Sequence, residues 1–371
     1  MKIIVVTTWF PSPQAPTMGT FVEKDVRVLA RDHDVEVVHL VAPHLTDPRE
    51  ADVDTIDHDG LRVHRIVMSP QRPLQIRRAR RLLEPLLASA DLVHTMAFPT
   101  LLAFARSRPG VPWVHTEHWS GLTTPATLPP TWRLALPALR PLLGQPDVVT
   151  AVCDYLARPI RAARQGKPTE IVPCIVPAPA ALAPRRPVGR ALELVSVGGL
   201  IDRKDPLLAV RTLAELVARG HDARLTWAGT GPLRDDVAAL AVDLAVADRL
   251  TLLGTVDADG VRAALDAADL FFLPTKADNF CVSAAEALVH GRPVVVGSTG
   301  GQGEYIDASV GELVGRQNVK AYADAVEWVV ATTSELSAEE VAATIGDRFS
   351  PETVRRGYLD VYDLARAERA G

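Results

Sequence analysis

Long apolar runs are missing from this chain of 371 residues. No stretch approaches the roughly 20 residues needed to cross a bilayer, so membrane contact is expected to be peripheral at most. The opening MKIIVVTTWF holds one lysine and only a short aliphatic run, too little for a secretory signal, and reads as a first strand. Cysteine is scarce as well. Cys153, Cys174 and Cys281 stand far apart with no C-x-x-C spacing, which leaves no readable zinc site or disulfide framework and suits a reducing cytoplasm. Basic excess is absent: the net charge is −5, and nucleic-acid binding, which asks for a strongly basic face, is not expected. Repeats and low-complexity tracts are missing too.

What is present is an apolar fraction of 47%, enough for two domains with separate cores. In the first half, β-branched runs at residues 5–6, 35–40, 61–67, 91–94, 112–116 and 148–152 alternate with helical patterns such as 21–30 and 74–87. That rhythm predicts a parallel sheet with helices on both faces. The Pro- and Ala-rich PCIVPAPAALAPRRPVGR, residues 173–190, breaks it and reads as a linker. Alternation resumes with strands at 192–197, 224–228, 250–253, 271–273 and 294–296. The helix after 192–197 ends at Gly220 in the C′ position, and Pro232 opens the next. Ser350-Pro351-Glu352 starts a last amphipathic helix with a cap, a first-turn proline and an early acid. The predicted architecture is α/β, two Rossmann-like domains facing each other across a cleft, with ligands at the carboxyl ends of the strands.

Charge divides unevenly: residues 1–180 hold 20 Lys and Arg against 17 Asp and Glu, and residues 181–371 hold 20 against 28. A phosphate site in the second half therefore needs local cations. VGGLIDRKDP, residues 197–206, supplies Arg203 and Lys204 in a strand-to-helix loop. ADNFCVSAAEALVHGRPVV, residues 277–295, supplies a loop followed by a helical segment from Ser283, so that Asp278 sits near a helix N-terminus and Glu286 about one turn inside. Amides between them form an anion site, and the carboxylates can accept from sugar and ribose hydroxyls. A plainer reading is a capping Asp and a solvent-facing Glu. WAGTGPLRDD has Gly229 and Gly231 at G-x-G spacing, but Arg234 occupies the third glycine position and the dinucleotide fingerprint fails. In the first half, Gly19 closes the loop after the first strand, where it permits close backbone approach. In HTEHWSG, His115 lies within a strand and His118 just past its end. RPLQIRRARRLLEPLL mixes five arginines with Ile76 and leucines, a core-packing helix with a solvated face that also suits an anionic lipid surface or an acidic acceptor.

The string D-N-F-C-V-S-A-A-E-A-L-V-H-G-R-P-V-V, followed by Gly300-Gly301-Gln302-Gly303-Glu304, resembles the E-x7-E signature of the retaining GT-B glycosyltransferases of family 4. The resemblance implies that Asp278 contacts the transferred sugar, Glu286 the ribose and Lys204 the diphosphate, with Arg203 expected to stand in from a neighbouring position for the family's arginine. His118 would help orient the donor sugar, which makes His118, Asp278 and Lys204 the catalytic set. Gly19, Gly199, Gly229, Gly231, Leu253, Asn279, Phe280, Cys281 and Val282 would complete the donor site. Three departures stand out: Asp278 shortens the usual glutamate, Gly199 stands where the family has arginine, and Asn279 and Cys281 replace glycines. Asn tolerates left-handed backbone, so the loop is expected to survive.

Expected boundaries are an acceptor-binding domain over 1–178, a linker over 179–190, a donor domain over 191–349 and, from 350, a helix crossing back to the first domain. The implied reaction is retaining transfer from a nucleotide-diphosphate-sugar, UDP-sugar favoured, to a hydroxyl of a small molecule or of a lipid or polysaccharide precursor. No metal or other cofactor is expected, and the chain is expected in the cytoplasm, or peripheral at the inner face of the membrane, as monomer or homodimer. A non-catalytic nucleotide-sugar-binding protein and a nucleotide-sugar epimerase are the alternatives.

Overall fold

KIIVVT, Lys2–Thr7 (β1), forms an inner strand of an eight-stranded sheet with Asp34–Val41 (β2), Asp54–His58 (β3), Leu61–Val67 (β4), Leu92–Met96 (β5), Trp113–Glu117 (β6), Val148–Ala151 (β7) and Thr169–Ile171 (β8). Spatial order is β3-β4-β2-β1-β5-β6-β7-β8. Among the described residues only the β3–β4 hairpin of this sheet is antiparallel. Both faces of β1 are covered: Ile3, Ile4, Val5 and Val6 are fully buried, as an unbroken β-branched run in a parallel sheet requires. The flanking helices are Thr20–Leu29 (α1), Pro73–Leu87 (α2), Pro130–Leu139 (α3) and Asp154–Arg164 (α4). The expected arginine-rich helix is α2, which buries Ala79 and Leu83 and exposes Leu74, Arg77, Arg78 and Arg81.

The C-terminal helix, Pro351–Ala370, packs on this same unit. Val354, Tyr358, Val361, Tyr362 and Ala365 share a core with Val22 and Val26 of α1. Two buried hydrogen bonds fix it: the Tyr358 hydroxyl donates to Asp25 Oδ2 at 2.9 Å, and the Tyr362 hydroxyl lies 2.8 Å from His94 Nδ1.

A second unit carries a wholly parallel six-stranded sheet of Leu192–Val197 (β9), Ala223–Ala228 (β10), Leu250–Gly254 (β11), Leu270–Leu273 (β12), Val294–Gly297 (β13) and Gly311–Val314 (β14). Its order is β11-β10-β9-β12-β13-β14. The helices are Pro206–Ala218 (α5), Arg234–Asp243 (α6), Ala258–Ala267 (α7), Val282–Val289 (α8), Val319–Thr332 (α9) and Ala338–Ala343 (α10). Gly220 is left-handed at φ 96° just past α5, as its position predicts. Helix α6 begins two residues beyond Pro232, which lies in the preceding turn.

The computed structural model describes residues 1–46, 52–186 and 191–370. One unit comprises Met1–Ile175 with the segment from Pro351 onwards, and the other Val176–Ser350. Much of the Pro- and Ala-rich stretch lies on the second unit: Arg186 Nε donates to Asp269 at 2.9 Å, Arg185 Nη1 to the Leu336 carbonyl at 2.9 Å, and Arg292 Nη2 to the Ala183 carbonyl at 3.0 Å. Residues 187–190 of the expected linker lie outside the described residues.

Candidate active site

In the second unit the chain runs from β9 outward to β10 and β11, then returns to the other side of β9 with β12. Loops leaving the carboxyl ends of β9 and β12 therefore part company there, and an open α/β sheet has its natural binding crevice at such a switch point. Arg203 and Lys204 come from the β9 loop, Asp278 from the β12 loop. Backbone and side-chain bonds stitch the two together. Lys276 N donates to the Arg203 carbonyl at 2.8 Å, Thr275 Oγ1 to the same carbonyl at 3.1 Å, and Arg203 Nη1 to the Ala277 carbonyl at 2.9 Å.

Asp278 is where the charges meet. Lys204 Nζ donates to its Oδ2, and Arg203 Nη1 lies 3.2 Å from the same oxygen. Burial alone would raise this carboxyl, but the neighbouring Lys204 and Arg203 charges, with hydrogen bonds from Lys204 and the Cys281 N–H, outweigh it and hold the group below the usual carboxylate range. Asp278 does not cap α8, whose N-cap is Cys281; its carboxylate accepts from the Cys281 N–H, just before the helix begins.

Helix α8 begins just beyond this cluster. Its free amides point to its N-terminus, where an anion is stabilised. Glu286 stands half-buried on the fifth residue of α8. The residue that bends left-handed before the helix is Cys281, at φ 59° and ψ 61°. That corrects the expectation centred on Asn279, which is not among the positive-φ residues and is buried. Two features that sequence reasoning missed support the bend: the Tyr305 hydroxyl lies 2.9 Å from the Phe280 carbonyl and 2.8 Å from that of Cys281, and the Phe280 ring packs edge-on against Phe349 at 4.9 Å. Val282 is the first residue of α8.

The glycines divide by role. A Cβ on Gly229 would stand 2.0 Å from the Gly198 carbonyl oxygen, and one on Gly231 would stand 2.4 Å from that of Leu200. Both are glycine because the β10 loop closes onto the β9 loop, a constraint internal to the fold. Gly199 is different: its Cβ would meet nothing nearer than 3.6 Å. Leu253 is exposed near the end of β11 and borders a cavity of about 480 Å³ beneath α7.

In the first unit His118 follows β6 directly, as expected, but its side chain is only 6% exposed. Nδ1 lies 4.0 Å from Cys174 Sγ, Nε2 lies 3.9 Å from Asp25 Oδ2, and the ring stands 4.6 Å from that of Phe21. Burial, with repulsion from His115, pushes its pKa down to about 3, while burial pushes Asp25 up to about 7. Burial thus favours the neutral form of each. Gly19 caps α1 at φ 72°, and a Cβ there would stand 2.5 Å from the Trp9 carbonyl. Gly19 thus lets the chain close against Trp9. Among the described residues Glu23, His58 and Asp59 cluster closely enough to ligate a metal, but Arg27 lies 2.7 Å from Glu23 and 3.6 Å from Asp59 and already supplies their positive charge.

Comparison with known proteins follows the two units. Residues 191–332, which hold the cation–carboxylate cluster, match the family described as Glycosyl transferases group 1, and residues 17–174 match the Glycosyl transferase 4-like domain. The chain belongs to the group 1 glycosyltransferases.

This glycosyltransferase is 26% identical to the GDP-mannose-dependent alpha-(1-6)-phosphatidylinositol monomannoside mannosyltransferase of Mycolicibacterium smegmatis over 92% of each chain. It is 29% identical to the D-inositol 3-phosphate glycosyltransferase of Rhodococcus jostii over 70% of this chain and 63% of that one. Of other curated relatives it matches, the glycosyltransferase spans 45 to 64% of their length. Its fold is GT-B: sucrose-phosphate synthase from Thermosynechococcus elongatus superposes with a TM-score of 0.79 at 20% identity, over 99% of this chain and 100% of that one. Among the described residues no helix of the glycosyltransferase is long and apolar enough to cross a membrane.

Proposed function

We propose that this chain transfers a hexose, with retention, from a nucleotide-diphosphate-sugar to an acceptor hydroxyl, without a metal. The observation that carries the reading is the convergence of Arg203 and Lys204 beside the N-terminus of α8 at the switch point of the second sheet. Breaking a glycosyl–phosphate bond builds negative charge on the departing diphosphate. Fixed cations and helix amides at that spot supply the stabilisation such a transition state needs. The acceptor oxygen attacks the anomeric carbon on the face the diphosphate leaves, and its proton passes to the leaving phosphate. Glu286, one turn inside α8, accepts from the ribose. His118, neutral and packed, orients the sugar without exchanging a proton.

A UDP-sugar is the favoured donor, with GDP-mannose next because one relative's name specifies it. Inositol in the names of two relatives supports a cyclitol or its lipid as acceptor, with membrane contact no more than peripheral. Incubation with UDP-, GDP- and ADP-sugars and inositol acceptors, with and without EDTA, tests the reading by product mass spectrometry. Transfer that survives EDTA supports it. Tight binding without transfer or slow donor hydrolysis would make the chain a binding protein, and donor rearrangement without acceptor would make it an epimerase. Lys204→Ala is expected to weaken donor binding about 10- to 100-fold, the loss of a charged hydrogen bond. Glu286→Ala weakens it too, and His118→Ala lowers turnover more than affinity.

A further inference from the structure

We propose that Asp278 serves the diphosphate end of the donor, as the counter-ion that positions Lys204 and Arg203, and does not read the transferred sugar. The inference rests on the donor-site reading above, but it departs from the sugar contact that the sequence resemblance implies.

The carboxylate is already occupied. Its Oδ2 accepts from Lys204 Nζ and lies 3.2 Å from Arg203 Nη1, and the Cys281 N–H donates to the same carboxylate. A carboxylate offers about four lone-pair sites. A neutral sugar hydroxyl would compete for the remainder against two cations, whose charge-assisted bonds are the stronger.

Reach is limited too. Aspartate is one methylene shorter than the family's glutamate, and its backbone is clamped on both sides. Asp278 N donates to the Thr299 carbonyl at 3.1 Å, and its own carbonyl accepts from Gly301 N at 3.3 Å. Gly300, between these partners, has no room for a Cβ, which would stand 1.8 Å from the Asp278 carbonyl oxygen. A residue held this way cannot follow a ligand outward.

Lys204, finally, requires a partner. It is 8% exposed, and its stem runs beside Gly198, whose added Cβ would lie 3.6 Å from the Lys204 side chain. An ammonium so enclosed is costly without a counter-charge. With Asp278 in place the trio carries one net positive charge, and an arriving diphosphate meets cations already ordered, which spares the entropy of fixing them at the moment of binding.

Calorimetric titration of a nucleoside diphosphate and of the matching nucleotide-sugar into the wild type, Asp278→Asn, Asp278→Glu, Lys204→Ala and the Asp278→Asn/Lys204→Ala double variant tests this. Asp278→Asn should weaken both ligands by one common factor, about 10-fold or more for a broken charged pair. In the Lys204→Ala background the same change should cost clearly less than in the wild type, because Asp278 then acts through Arg203 alone. Asp278→Glu keeps the charge and should hold nucleoside diphosphate affinity within a few fold, which serves as the test if Asp278→Asn does not fold. Loss confined to the nucleotide-sugar, or fully additive losses in the double variant, would overturn the inference alone. A wild type that binds none of UDP, GDP and ADP would instead bring down the donor-site reading and this inference with it.

Discussion

Cys281 carries a backbone conformation that side chains resist. Its φ of 59° costs on the order of 1 kcal/mol relative to glycine, and the fold accommodates this by burying the side chain and setting Tyr305 against its carbonyl. Burial pushes the thiol up to about 11, so the nucleophilic thiolate is scarce at neutral pH. Iodoacetamide at pH 7.5 should leave Cys281 unmodified in the folded protein and label it on denaturation, read by peptide mass spectrometry; rapid labelling of the native chain would refute the packing. Sequence alone identified this loop, yet favoured Asn279 for the left-handed turn, because intrinsic tolerance is a property of residue type while the turn is fixed by where α8 starts. Gly199 gives a second test at this scale. It has ordinary backbone and open space for a side chain, so Gly199→Arg should fold normally and bind a nucleoside diphosphate several-fold more tightly by adding a charged donor. Weaker binding in a calorimetric titration would mean that the position points away from the ligand.

At the scale of elements, the C-terminal helix and α1 are joined by a buried acid. Asp25 is 1% exposed, its Oδ2 accepts from Tyr358, and among the described residues its Oδ1 has no hydrogen-bond partner. Burial raises its pKa from 3.8 to about 7. Between those values the folded state holds the proton and the unfolded state does not. Stability from this group is therefore full below about pH 4 and is lost as pH rises through 7, by at most on the order of 4 kcal/mol. His39, His94 and His118 act in the opposite sense: burial lowers all three below 6.5, so their contribution is lost as pH falls. His118 lies 3.9 Å from Asp25, but in the folded state all three titrate near 3 to 4, at or below the low end of the window from 4 to 7, and so add little to a comparison of the wild type with Asp25→Asn there. The variant should gain stability relative to wild type as pH climbs from 4 to 7 and then level off, measured as the difference in unfolding midpoints; a flat difference would show that Asp25 is not buried as a neutral acid.

Strands β1 and β13 were legible because unbroken aliphatic runs suit doubly covered parallel strands, β12 because LFFL is wholly apolar, and β9, LELVSV, because its apolar residues run up to the Gly198-Gly199 turn. The strands β3, DTIDH, and β8, TEI, were not, being short, polar and recognisable only by their pairing. The Asp25–Tyr358 and His94–Tyr362 bonds were illegible for a different reason, since each joins residues more than 260 positions apart.

For the whole molecule, the acidic half of the chain is the one proposed to hold the anion, and local geometry must overcome net charge. Residues 181–371 carry eight more acidic than basic side chains, while Arg203 and Lys204 meet past the carboxyl end of the inner strand β9. Field effects of scattered surface acids fade over a Debye length of about 8 Å at physiological salt, whereas fixed cations in contact with a ligand are barely screened. Because the chain folds as two units, its thermal stability is not one number, and a ligand bound by one native unit stabilises that unit by about 2.7 kcal/mol at one hundred times its dissociation constant. Hydrogen exchange with a saturating nucleoside diphosphate should therefore slow in residues 198–205 and 274–301, with α8, and leave the inner strands β1 and β5 of the other unit unchanged. Lys204→Ala should abolish the protection at equal ligand concentration. Protection centred on β1 and β5, or equal in the variant, would move the anion site to the other unit, and with it the assignment of every residue gathered around Asp278.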